Sequence, residues 1–321
     1  MIGPSPYVLI NMGARFVPCQ RSTPGVQNAT QPVSWPCPNT TTYDLDAPTM
    51  KCTLADLCGF PKSPVPNPIP NGSLTSGPQP NQWFRFVIPI FLHAGFIHIA
   101  FNLLLQMLIG RDMERKIGAV RFALVYFASG IFGFVLGGNF APAGVASTGA
   151  SGALFGIIAL ELIDLTYTWS DRTSPGRDLL YLLVDILVSF ALGLLPGLDN
   201  FSHIGGFAMG LLLGVFILHS PNALRRRILQ EPYSPVSTAR AEEVEGWNEA
   251  KALARQPVGF FKGRKPFWWV WWVFRMVMAA GAVILFVVLL RNFYAEKRVQ
   301  CPGCKYLSCL VSLVSVPPSL P

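Results

Sequence analysis

The chain has 321 residues, of which 51% are hydrophobic and only 13% charged, and its mean hydropathy is +0.41. A soluble domain carries about 25% charged residues, so this composition with its long apolar runs predicts an all-α polytopic membrane protein and excludes a soluble one. The net charge of +8 does not predict a nucleic-acid partner, because the basic residues gather in short loops between apolar runs, as they do beside a bilayer.

Residues 1–82 read as a polar region facing a lumen or the cell exterior. Pro, Asn, Thr and Gly dominate it, as in "KSPVPNPIPNGSLTSGPQPN", and hydrophobic periodicity is almost absent. Asn28, Asn39 and Asn71 each open an acceptor triplet for N-glycosylation. Cys19, Cys37, Cys52 and Cys58 precede the first apolar run, and Cys301, Cys304 and Cys309 follow the last. None falls in an apolar run or a basic loop, which predicts disulfides in an oxidising compartment. Cys301-Pro-Gly-Cys304 is expected to be structural too, since no thioredoxin-like pattern surrounds it. The opening "MIGPSPYVLINMGARF" is no signal peptide, so a further transmembrane helix is expected upstream.

Six spans are predicted, at about 95–110, 119–138, 149–168, 178–195, 203–219 and 270–290. Arg111, Arg115, Lys116 and Arg121 flank the first turn, and Arg172 and Arg177 the third; the segment 220–266 carries nine Lys and Arg, while loops 139–148 and 196–202 carry none. By the positive-inside rule the basic loops are cytosolic. The expected organisation is a lumenal region 1–82, a membrane domain 83–219 and a cytoplasmic basic linker 220–266. An additional transmembrane helix at 267–290 and a lumenal Cys-containing tail at 291–321 complete it.

Candidate chemistry lies at the lumenal ends of three of these spans. Ser151, in "STGASGALFG", stands where a helix start offers unpaired N–H groups and partial positive charge. On that motif alone it reads as a helix-capping serine. His203, in "NFSHIGGFAMGLLLG", changes this, because ionisable residues inside a membrane are costly and mark function. Gly206, Gly210 and Gly214 give its helix a small-residue face, as Gly152 and Gly156 do for the serine helix. Packing those faces together brings Ser151 to His203, a hydroxyl to the base that would activate it. In "FLHAGFIHIAFNLLLQ", His98 and Asn102 share a helical face and suit hydrogen-bond donation to an oxyanion. His93 lies off that face, and no carboxylate or cysteine completes a metal-ligand set, so no metal or other cofactor is expected. Asp199 and Asn200 are expected to cap the His203 helix, Glu161 and Asp164 to serve helix packing or an interfacial role, and His219 to lie at the interface as a surface residue.

His93-x4-His98-x3-Asn102, Gly149-Ala150-Ser151-Gly152 and His203-x2-Gly206, in that order over residues 83–219, resemble the rhomboid family of intramembrane serine proteases. The closest likeness is to the eukaryotic six-plus-one type, fungal-like, here lacking its first helix. The resemblance implies Ser151 as nucleophile, His203 as general base without a third acid, and an oxyanion hole from His98, Asn102 and the Ser151 N–H. It implies Phe155 stacked on the imidazole, and Gly149, Gly152 and Gly206 as supporting positions. Glu114-Arg115 matches the family's Glu-Arg pair, whereas the family's Trp-Arg pair appears as Trp83-Phe84-Arg85, so only Arg85 aligns. The implied activity is cleavage of single-pass membrane-protein substrates near the lumenal end of their helices, on a secretory-pathway endomembrane (Golgi-like) or the plasma membrane. An inactive rhomboid-like protein that binds membrane clients is the alternative.

Overall fold

The computed structural model describes residues 3–42, 44, 46–193, 199–227 and 265–296. Among these the protein is all-α, and its only β-pairings are two isolated bridges, Arg15 with Ser147 and Trp35 with Cys52.

The amino-terminal region is a small disulfide-stapled module. Helix α1, Pro6–Met12, starts on Ser5, whose hydroxyl accepts from the Val8 N–H at 3.3 Å, and stops at Gly13, whose φ of 111° suits glycine. Helix α2, Val17–Gln20, and α3, Leu54–Cys58, follow; α3 begins in a reciprocal capping box between Thr53 and Asp56. Disulfides Cys19–Cys58 and Cys37–Cys52 span 39 and 15 residues. Closing loops of that length removes about 3–4 kcal/mol each of denatured-state entropy, a contribution a core of this size needs. That core is Ile10, Phe16, Trp35, Leu54, Leu57 and Val65 around the cysteines. The three candidate glycosylation asparagines, Asn28, Asn39 and Asn71, are exposed on it.

Arg85 joins the module to the helices. Its fully buried guanidinium donates to Gln82 Oε1 at 2.6 Å, to the Ile10 and Ala14 carbonyls at 2.7 Å each, and to the Cys58 carbonyl. Burial lowers its pKa to about 9, still protonated at neutral pH, and these acceptors compensate the buried cation.

Helix α4, Phe96–Leu105, continues through one π-helical turn, Gln106–Gly110, into α5, Arg111–Ile117. Then come α6, Ala119–Phe140, α7, Ser151–Tyr167, α8, Pro175–Gly193, α9, Asn200–Ile217, α10, Asn222–Arg227, and α11, Pro266–Tyr294. The expected six transmembrane helices are not what the structure supports. Three stretches among the described residues are long and apolar enough to cross a membrane: Ala119–Phe140, Asn200–Arg227 and Pro266–Tyr294. The reasons are local. The 10 residues of α4 rise about 15 Å, half a hydrocarbon core, and α5 beyond the π turn holds Arg111, Asp112, Glu114, Arg115 and Lys116. Helix α7 has 17 residues and carries Glu161 and Asp164. Helix α8 carries Arg177, Asp178 and Asp185. The protein is multi-pass, and its described residues are all-α with three long apolar candidate spans.

Helices α6, α7 and α9 form the centre. A Cβ at Gly206 would collide with the Gly152 carbonyl oxygen, and one at Gly210 with that of Gly156, so only glycine lets α9 lie this close to α7. Phe132, Phe134, Val135 and Met209 fill the space beside α11, whose Phe293 ring meets Phe86 edge-on at 5.1 Å. At the opposite end, buried Asp164 accepts from Lys116 at 2.9 Å, Arg172 at 2.8 Å and His219 at 3.2 Å. His219 is therefore a buried partner of Asp164 and not a surface residue. Lys116, next to the Glu114-Arg115 pair, is the residue that ties α5 to both Asp164 and Glu161.

Candidate active site

Ser151 is the first residue of α7, and the capping position belongs to Ala150. The loop leading to it is pinned twice. The Gly149 N–H donates to the Pro89 carbonyl at 2.9 Å, and Ser147 and Arg15 exchange both backbone hydrogen bonds, at 3.0 and 2.9 Å. With its hydroxyl free of a capping bond, Ser151 Oγ lies 2.8 Å from His203 Nε2. His203 sits in the first turn of α9, one turn before Gly206, at the closest approach of α7 and α9.

For His203 Nε2 to accept from the hydroxyl, the ring proton must reside on Nδ1. That Nδ1 is buried and has no hydrogen-bond partner among the described residues. Among the described residues no carboxylate orients the ring through a hydrogen bond there. Packing does so instead: the Phe155 ring stacks on the imidazole at 4.6 Å and 19°, and Phe190 of α8 backs Phe155 at 4.7 Å. Asp199 occupies the position before α9, yet its side chain caps no backbone N–H. It accepts from Ser202 Oγ at 2.7 Å and from Arg15 Nη2 at 3.0 Å.

His98 and Asn102 approach from α4. The Ala94 N–H donates to His98 Nδ1 at 3.2 Å, which leaves the proton of a neutral ring on Nε2. That nitrogen faces Gly149, where an added Cβ would sit only 2.7 Å away; the φ of +122° at Gly149 also favours glycine. Asn102 is buried, with Nδ2 donating to the His98 carbonyl at 2.8 Å and Oδ1 without a partner among the described residues. One amide hydrogen thus holds the α4 backbone and the other is uncommitted. His93 packs edge-on against His98 at 5.2 Å. The structure therefore gathers Ser151, His203, Phe155, Gly149, Gly152, Gly206 and His98 around one helix start, with Asn102 bonded to the His98 carbonyl on α4. The sequence reading did not single out Arg15, Ser147 or Phe190; the only signal for Arg15 was a charge amid the apolar residues of "MGARFVPC".

These features describe a multi-pass helical membrane protein holding a serine hydroxyl against an imidazole between two glycine-faced helices. Residues 80–220 match the Rhomboid domain family, and the chain is a rhomboid-family membrane protein. It is 54% identical over 321 residues to "Rhomboid-type serine protease 2" of Emericella nidulans, an alignment covering 97% of this chain and 62% of that protein. It is 35% identical over 228 residues to "RHOMBOID-like protein 1" of Arabidopsis thaliana, covering 71% and 53%. It is also 39% identical over 165 residues to "Inactive rhomboid protein 1" of Rattus norvegicus, covering 51% and 18%. The chain spans about three-fifths of the fungal relative's length and about half of the plant relative's.

Proposed function

We propose that this protein is an intramembrane serine endopeptidase, with Ser151 as nucleophile and His203 as general base. The observation that carries the reading is the 2.8 Å contact between Ser151 Oγ and His203 Nε2, within the range a general base needs. Ser151 Oγ attacks the scissile carbonyl carbon as its proton passes to His203 Nε2. The carbonyl oxygen becomes an oxyanion facing the unpaired N–H groups at the start of α7, with His98 Nε2–H and the second Asn102 amide hydrogen as further donors. His203 then returns the proton to the departing amine, leaving an acyl-Ser151 ester. Water, deprotonated by the same imidazole, hydrolyses that ester and restores the hydroxyl.

The substrates are single-pass transmembrane proteins in the same bilayer. Amides inside a regular helix are hydrogen-bonded and shielded, so substrate helices with glycine or other helix-breaking residues near the cleavage point are preferred. The site faces a lumen or the exterior, on a secretory-pathway endomembrane or the plasma membrane; the two disulfides of the attached module support this. The similarity to an inactive rhomboid protein keeps a second reading in play, a client-binding protein without catalysis. Cleavage of a reporter transmembrane substrate by the full chain, abolished by Ser151→Ala, separates the two. A parent and a Ser151→Ala variant equally without activity, while both still capture the reporter, would establish the second reading.

A further inference from the structure

The amino-terminal segment touches each of the three chain stretches that carry the site. Gly3 lies so near the turn before α4 that an added Cβ would strike the backbone of Ala94 and Gly95. Arg15 pairs through its backbone with Ser147, four residues before Ser151. Its guanidinium reaches Asp199, four residues before His203, through Nη2 at 3.0 Å. One residue thus holds the start of α7 with its main chain and the start of α9 with its side chain. Asp199 passes the restraint on by accepting from Ser202 Oγ, in the residue adjoining His203.

This ion pair is poorly built for stability. Both side chains are almost wholly buried, and a single hydrogen bond joins them. Arg15 Nε, Arg15 Nη1 and Asp199 Oδ1 have no partner among the described residues. Desolvating two charges is costly, and a pair with unmet hydrogen-bonding capacity recovers little of that cost. What the pair does supply is geometry. The two helices it ties are those whose separation sets the Ser151–His203 distance, and the glycine contacts at Gly206 and Gly210 only prevent them from moving closer. Arg15 limits the motion that glycine cannot, the sliding or splaying of the helix starts.

We infer that Arg15 is a positioning residue: it brings the starts of α7 and α9 into one frame, so that the serine hydroxyl and the imidazole meet at reactive distance. This rests on the proposed hydrolase mechanism, in which a misplacement of about 1 Å costs on the order of 10²-fold in rate. The disulfide Cys19–Cys58 anchors the same segment from behind, four residues beyond Arg15.

The test uses the full chain in detergent micelles and two readouts. The first is the rate at which a fluorophosphonate phosphonylates Ser151 Oγ with loss of fluoride, which needs no transmembrane substrate. The second is kcat and KM on a reporter substrate, with thermal unfolding measured alongside. Arg15→Ala and Asp199→Asn are expected to lower the labelling rate and kcat by about ten- to hundredfold, with KM within about twofold and unfolding still cooperative. Arg15→Lys, which keeps the backbone pairing and a cation, is expected to recover most of the labelling rate. Parental labelling in Arg15→Ala and Asp199→Asn overturns the inference. So does labelling that falls only in step with loss of the fold in all three variants. A parent whose labelling is insensitive to Ser151→Ala overturns the hydrolase mechanism itself and, with it, this role for Arg15.

Discussion

Gly206→Ala is the smallest change that probes the contact between α7 and α9. The added methyl would point at the Gly152 backbone, with the carbonyl oxygen, carbon and Cα all inside van der Waals range. Backbone cannot turn aside as a side chain can, so the helices must separate. Forcing one methyl into a packed contact costs about 1–3 kcal/mol, and the separation acts directly on a hydrogen bond of 2.8 Å one turn away. Opening that contact by about 1 Å lowers kcat on the order of 10²-fold. Gly210→Ala meets the Gly156 backbone and Ala159 one turn further along α9. It is expected to destabilise as much and to impair catalysis less. Gly281→Ala on α11, with nothing within 4 Å, is the control, and is expected to gain slightly from helix propensity. Thermal unfolding in micelles and reporter cleavage measure the two effects. If Gly206→Ala melts with the parent and cleaves at the parental rate, the close approach does not set the site's geometry.

Ser151→Ala and His203→Ala are each expected to abolish reporter cleavage while leaving expression and membrane insertion intact, and full activity in either would refute the proposed mechanism. Asn102→Ala should retain some activity, because other oxyanion donors remain, with a loss of about 10²–10³-fold in kcat; an unchanged kcat would remove Asn102 from the site. Phe155→Ala should lower kcat with little change in KM, since it frees the imidazole that Phe155 stacks upon; an unaffected kcat would show that the ring is not held by stacking. Hydrogen bonds from the Thr53 hydroxyl and backbone hold the Asp56 carboxyl below its usual pKa of 3.8. A depressed folded-state pKa adds stability above the unfolded value, and that stability is lost as pH falls through the folded one. Denaturation of the parent and Asp56→Asn should therefore converge as pH drops below about 4.

The meeting of Ser151 with His203 was legible in the sequence because the parts that bring them together are local and periodic. Glycines every fourth residue around Gly152 and Gly206 declare which faces meet, and the position of Ser151 and His203 on those faces does the rest. The span count was not legible, because apolar composition does not mark where a helix is interrupted. The π turn at Gln106–Gly110, the charges of α5, and the acidic pairs in α7 and α8 interrupt that continuity. Burial supplies the reason such charges are tolerated: Asp164 enters the interior because Lys116, Arg172 and His219 converge on it from three separate segments. The predicted tail cysteines Cys301, Cys304 and Cys309, and most of the basic linker 220–266, lie outside the described residues. Arg15 was invisible for a different reason. Its partner Asp199 is 184 residues away, and neither lies on a repeating pattern. Only the folded chain brings the two together, between the serine helix and the histidine helix. If catalytic geometry depended on the membrane helices alone, an arginine in a disulfide-stapled polar module would have no reason to be buried among them. Its burial there makes the module part of the apparatus that sets the Ser151–His203 distance, and replacing it should lower kcat by more than the accompanying loss of stability accounts for.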